Sequence, residues 1–206
     1  MKVLFIGAHC DDIELGCGAT IHKHRNHLDI YCAVLSQNTI WEPPVELGAI
    51  CRKSLNSLGR QNLALYNEAP TEFYKSRQKI WDILQETKEL INPDIVFTHQ
   101  ADTNQDHVTV FEETVRVFKT ESIYCYIPNP VGTLQSRVNH LECVSKDDVK
   151  AKLKSAKRYR KVMGYKPYLD KKIIKSSMRH YGSNTKSEYA EAFIIHQQIQ
   201  NGCLNT

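Results

Sequence analysis

No stretch of this 206-residue sequence is apolar for long enough to cross a membrane. The opening run, Met1 to Ile6, is also too short for a secretory signal before Gly7 and the acidic residues that follow. No C-x-x-C pair occurs among the seven cysteines, at positions 10, 17, 32, 51, 125, 143 and 203. Their odd number and wide spacing argue against a zinc ribbon and a disulfide framework. They read instead as small apolar residues in a reducing compartment. A cytoplasmic protein is therefore expected. Internal repeats, low-complexity tracts and linkers are missing too, so residues 1–206 are expected to form a single domain. Apolar residues make up 41% and charged residues 24%, a balance normal for a globular protein, so disorder is not the default expectation.

The net charge is only +4, but the excess is local. Lys146 to Lys175 is rich in Lys and Arg, including Lys157-Arg158-Tyr159-Arg160-Lys161. Charge patterning reads this first as a solvated helix face. Its functional alternative is a surface that draws in an anionic small-molecule substrate. No nucleic-acid reading motif accompanies the charge, so a nucleic-acid partner is not expected. Self-association into a homo-oligomer is compatible with the sequence.

Periodicity alternates between the two regular structures. Val3–Ile6, Ile30–Leu35, Asn62–Tyr66, Asp94–Thr98 and Ser122–Ile127 read as strands. The first two are unalternating apolar runs, as in strands covered on both faces. Leu15–His27, Val45–Leu58, Thr71–Ile91 and Asp106–Lys119 read as helices. A loop with Trp41-Glu42-Pro43-Pro44 precedes the second, and Gly59 ends it. The third has Thr71 as cap, and Phe73, Ile80, Ile83, Leu84 and Leu90 near one face. Ser145-Lys146-Asp147-Asp148 resembles a capping box before the basic helix. This order predicts an α/β fold, Rossmann-like, with a mostly parallel sheet and helices on both faces. Past residue 140 the alternation weakens and predicts no topology.

In such sheets, ligands bind beyond the carboxyl ends of the strands. Two polar clusters fall there. Ala8-His9-Cys10-Asp11-Asp12 follows the first strand. His99-Gln100-Ala101-Asp102-Thr103-Asn104-Gln105-Asp106-His107 follows the Asp94–Thr98 strand. Two histidines and a carboxylate with open positions make a catalytic zinc pattern, and the same donors suit ferrous iron or other divalent ions. The pair Asp11-Asp12 supplies one carboxylate for the metal and one as general base for water that the metal acidifies. The plainer reading of that pair is a cap on the next helix.

Here the sequence resembles the PIG-L/LmbE family of metal-dependent N-acetylglucosaminyl deacetylases. Ala8-His9-Cys10-Asp11-Asp12-Ile13-Glu14 and Leu15-Gly16-Cys17-Gly18 match its A-H-P-D-D-E motif and glycine-rich helix start. Asn104-Gln105-Asp106-His107 stands where the family has H-P-D-H, and Tyr189-Ala190-Glu191-Ala192-Phe193 matches its Y-A-E-A-F tract. The resemblance implies zinc (Zn2+) held by His9, Asp12 and His107, with ferrous iron (Fe2+) as an alternative. It also implies Asp11 as general base, and Asp106 as the carboxylate that orients a ligand. The implied reaction is removal of an N-acetyl or other N-acyl group from an amino sugar, nucleotide sugar or glycoconjugate precursor.

Two positions depart from the family. Cys10 replaces a proline, and Asn104 replaces the histidine that stabilises the oxyanion and protonates the leaving amine. An Asn amide donates hydrogen bonds but is no general acid at neutral pH. His99, ending the same strand, is the leading candidate to substitute; His140 and His180 are less constrained, and Asp11 itself can return the proton. Arg52, Trp41 and Tyr189 are weaker candidates for a sugar pocket. Competing readings fare worse. A phosphoryl-accepting receiver wants an Asp where Asn67-Glu68-Ala69-Pro70 stands, a haloacid-type phosphatase wants Asp-x-Asp, and Gly16-Cys17-Gly18 is only a fragment of a dinucleotide fingerprint. The alternative left open by Asn104 is a non-catalytic, metal-binding member of the same fold that binds a sugar.

Overall fold

Val3 to Ile6 are at most 1% exposed, as an unalternating apolar run requires when both faces of a strand are covered. In the computed structural model this run lies within β1 (Lys2–His9). The structure describes residues 1–40, 45–100, 103–128 and 138–199. The chain continues through α1 (Asp12–His24), β2 (Asp29–Ser36), α2 (Gly48–Asn56), β3 (Asn62–Leu65), α3 (Arg77–Ile91), β4 (Ile95–His99) and α4 (Gln105–Val117). It then forms β5 (Ser122–Tyr126), β6 (His140–Val144), α5 (Lys146–Met163), α6 (Lys171–Gly182) and β7 (Tyr189–Gln197). The Trp41–Pro44 loop and Ala101-Asp102 lie outside the described residues.

The seven strands form one sheet in the order β3-β2-β1-β4-β5-β7-β6. The first five run parallel, as the alternation predicts. Beyond residue 140, β7 joins β5 antiparallel and β6 joins β7 antiparallel. Val3 and Phe5 pack into a cluster with α1, α2 and α5, while Leu4 and Ile6 pack into another with α3 and α4. Alternate residues of one strand thus serve opposite layers. Each such burial stabilises by roughly 1.5–3 kcal/mol. Strand order reverses at β1, between β2 and β4. That is the switch point of a doubly wound sheet, where a crevice opens beyond the carboxyl ends. His9 ends β1 and His99 ends β4.

Several boundaries differ from the expectations for physical reasons. The second helix starts at Gly48 instead of Val45, because Glu46 bridges Asn38 and Leu47 N–H donates to Gln37 C=O. The third starts at Arg77 instead of Thr71. Thr71 does not cap it: its φ is +69°, and its N–H donates to Asp106 Oδ2 at 2.6 Å. Ile80, Ile83 and Leu84 are buried as expected, but Leu90 is 85% exposed. The capping box is present: Ser145 Oγ accepts from Asp148 N–H, and the Asp148 carboxylate accepts from Ser145 N–H. Among the described residues no helix is long and apolar enough to cross a membrane.

Two features of the quoted motifs are structural. Gly16 lies under the Tyr126 ring, where a Cβ would come within 2.1 Å, so its role is close packing of α1 on the sheet. Glu191, in the Tyr189–Phe193 tract, is 2% exposed. Its carboxylate accepts from Ala19 N–H (3.0 Å) and Thr20 N–H (2.7 Å) and pairs with Lys152 Nζ at 2.5 Å. It thereby ties α1, α5 and β7 together. Glu191→Ala leaves Lys152 buried without its anion and should cost about 3–5 kcal/mol in denaturant unfolding. A loss below about 1 kcal/mol would remove Glu191 from this role.

Candidate metal centre and active-site cavity

After His9 the chain turns into α1 through Cys10 and Asp11. Asp11 holds φ +98°, a backbone state that costs a non-glycine residue roughly 1–3 kcal/mol and concentrates at functional sites. It occupies the N-cap position, yet its side chain makes no capping hydrogen bond. Cys10 N–H donates to Ser36 C=O at 3.3 Å, a bond proline would forgo. Asp12 opens the helix, and its Oδ2 accepts from His9 N–H at 2.7 Å.

Three imidazoles face the Asp12 carboxylate. His9 Nδ1 is 3.5 Å and His99 Nε2 3.3 Å from Oδ2, and His107 Nε2 is 3.6 Å from Oδ1. The rings of His99 and His107 stack at 4.0 Å. Potential ligand atoms of His9, Asp12 and His107 all lie within 4.8 Å of one another. Two imidazoles and one carboxylate at that spacing fit a divalent transition metal. Asp106, on the first turn of α4, lies 2.9 Å from His9 Nε2 and accepts from the N–H groups of Thr71 and Phe73. With Nε2–H donating to Asp106, Nδ1 is left facing Asp12.

Charge sorts these groups. Burial pushes the Asp12 carboxyl up, but His107 and His99 outweigh it and hold Asp12 well below the ordinary range. Burial, then the charges of Asp12 and Glu14, drive Asp11 well above its ordinary value. Two adjacent carboxylates pushed apart in this way suit different roles. Burial lowers His9, yet its bonds to Asp106 and Asp12 raise it to about 9. The surplus of negative charge that favours a proton on His9 also favours a metal cation. Burial and the charge of His107 hold His99 well below its ordinary value.

These groups open onto a cavity of about 520 Å³, within the usual range for small-molecule sites. His9, Asp11, Asp12, Asn104, Asp106 and His107 line it, together with Asn38, Thr39, Ile40, Thr71, Met163, Lys166 and Tyr168. Asn104 caps α4, its Oδ1 accepting from Asp106 N–H at 2.9 Å. His99 is fully buried, accepts from Ala8 N–H at 2.8 Å, and is not among the cavity-lining residues. It contacts Asp12 from beneath. Of the weaker candidates, Arg52 is exposed on α2, Tyr189 is buried in the core, and neither lines the cavity; nor do His140 and His180. Trp41 is outside the described residues. Sequence reasoning missed Thr71, Met163, Lys166 and Tyr168. The available signal was Gly164 and Pro167, which break the basic helix and turn the chain back. If Asp106 orients His9 for a cation, Asp106→Ala should weaken zinc binding about 10–100-fold in a competitive chelator titration. Unchanged affinity would contradict that role.

Comparison with known proteins now bears on the site. Residues 4–118, more than half of the chain, match the family described as PIG-L, GlcNAc-PI de-N-acetylase. The uncharacterized deacetylase YaiS of Escherichia coli K12 is 28% identical over 167 residues, covering 77% of this chain and 90% of its own. Among solved structures, the N,N'-diacetylchitobiose deacetylase of Pyrococcus horikoshii shares the fold with a TM-score of 0.71 at 21% identity, over 94% of this chain and 83% of its own. GalB of Pseudomonas putida KT2440, a 4-carboxy-2-hydroxymuconate hydratase, has a TM-score of 0.76 at 14% identity, over 98% and 99%. Fold likeness therefore spans more than one reaction, and it is the family match that decides: the chain belongs to the PIG-L family of de-N-acetylases.

Proposed function

We propose that this protein is a zinc-dependent hydrolase that removes an N-acetyl, or other N-acyl, group from an amino sugar, nucleotide sugar or glycoconjugate precursor. The observation that carries the reading is the convergence of His9, Asp12 and His107 within 4.8 Å, beside Asp11 on a cavity wall. A bound zinc or ferrous ion there supplies a Lewis acid that polarises the amide carbonyl and acidifies water. The remaining work falls to the chain. Asp11 takes a proton from the water whose oxygen adds to the carbonyl carbon. When the carbon–nitrogen bond breaks, the amine must gain a proton. Asn104 donates hydrogen bonds but no proton at neutral pH, so Asp11 returns the one it took. Asp106 holds the His9 ring, and His99 backs Asp12. The substitution at Asn104 favours one other reading, a member that binds metal and sugar without turnover.

The test is acetate release from a panel of N-acetyl amino sugars and nucleotide sugars. Release should be abolished by a chelator and restored by zinc. Asp11→Ala should retain metal by elemental analysis and lose about 10²–10⁴ in rate. Full activity after chelation, or in Asp11→Ala, would contradict the mechanism. Stoichiometric metal with no release from any compound would select the non-catalytic reading.

A further inference from the structure

Residues 146–175 carry twelve Lys and Arg against three Asp, a net +9 in a chain of net +4. On α5, Lys150, Lys154, Lys157 and Lys161 are all exposed. Their spacing of four, three and four residues puts them on one helix face, over about 16 Å. Lys150 pairs with Asp147 at 2.8 Å. Among the described residues, no acidic group pairs with Lys154, Lys157 or Lys161.

The stripe ends at the cavity. Met163, one residue beyond Val162, lines it, and so do Lys166 and Tyr168. Gly164, at φ +71°, turns the chain between them. Val162 is 44% and Tyr165 63% exposed, and Arg160 lies 5.2 Å over the Tyr165 ring. From another part of the chain, Ile40 lines the same cavity while 66% exposed, and Val45 is exposed two residues before the lining Leu47. Of the eight large hydrophobics exposed among the described residues, Ile40 thus lines this cavity, and Val45, Val162 and Tyr165 lie within two residues of lining ones in the chain. Scattered singly they would need no explanation; gathered beside a cationic face, they mark an interaction surface.

We propose that the lysine stripe of α5 and the apolar side chains around the cavity opening form a docking surface for an anionic lipid bilayer. Charge complementarity supplies the long-range attraction, since lysines near an anionic leaflet act within a Debye length of about 8 Å. The aliphatic members decide between partners. Val162, Ile40 and Val45 gain nothing against a soluble polyanion, but they gain by transfer into the acyl boundary, with Tyr165 at the headgroup level. Docking in this way sets the cavity opening against the membrane surface.

Sedimentation of the full chain with vesicles tests this without any turnover, so its failure leaves the deacetylase reading standing. The protein should bind vesicles of phosphatidylcholine mixed with phosphatidylglycerol at low salt and leave pure phosphatidylcholine unbound. Each neutralised lysine should weaken binding about five-fold, so Lys154→Gln, Lys157→Gln and Lys161→Gln together should weaken it on the order of a hundred-fold. Val162→Ser with Tyr165→Ser should remove the part of the binding that survives high salt. The proposal is overturned by no binding to anionic vesicles, by equal binding to phosphatidylcholine, or by wild-type binding in the folded lysine variant. Polyphosphate binding with the apolar variant indistinguishable from wild type would overturn it too, in favour of a soluble polyanion.

Discussion

A carboxylate buried at the end of the central strand, with three imidazoles around it, is the constraint on which the rest of this structure depends. Asp12 is 5% exposed, and His107 holds its carboxyl well below the ordinary range against the cost of burial. A buried charge is tolerated only when it is paired and hydrogen-bonded. Here the pairing comes from β1 and α4, through His9 and His107, while His99 of β4, its Nε2 accepting from Ala8 N–H, packs alongside. The parallel order β2-β1-β4 brings those elements together, so the sheet's topology and the site's electrostatics are one design.

Around this centre the supports are arranged outward. Asp106 spans His9 and the 71–73 backbone, which explains why Thr71 sits in a left-handed conformation instead of starting a helix. Gly16 lets α1 approach Tyr126, whose hydroxyl donates to Ile6 C=O at 2.6 Å. Glu191 and Lys152 fasten the middle of α1 from β7 and α5. The antiparallel end of the sheet is thus more than an appendage: it braces the helix that Asp11 and Asp12 open.

Much of this was legible in the sequence, for identifiable reasons. The unalternating, β-rich run Val3–Ile6 suits a strand covered on both faces, and the two polar clusters follow strands whose carboxyl ends meet. His9, Asp12 and His107 are accordingly found together. What the sequence hid was decided by long-range contacts. Thr71 reads as a helix cap until Asp106, 35 residues away, claims its N–H. Leu90 fits the apolar period of α3 but points to solvent. His99 looks like a cavity residue because it ends β4, yet stacking under His107 removes it from the wall. Met163, Lys166 and Tyr168 follow a helix whose charge masked its end, so no local pattern joined them to a site far away in sequence.

The fold by itself does not name the reaction, since a hydratase shares it at 14% identity. The chemistry rests on what occupies the space among His9, Asp12 and His107. Anomalous diffraction at the zinc absorption edge, from crystals of the protein grown with zinc, addresses that directly. The account predicts one strong peak in contact with His9, Asp12 and His107. A zinc peak elsewhere, or no peak among these three side chains, would contradict it.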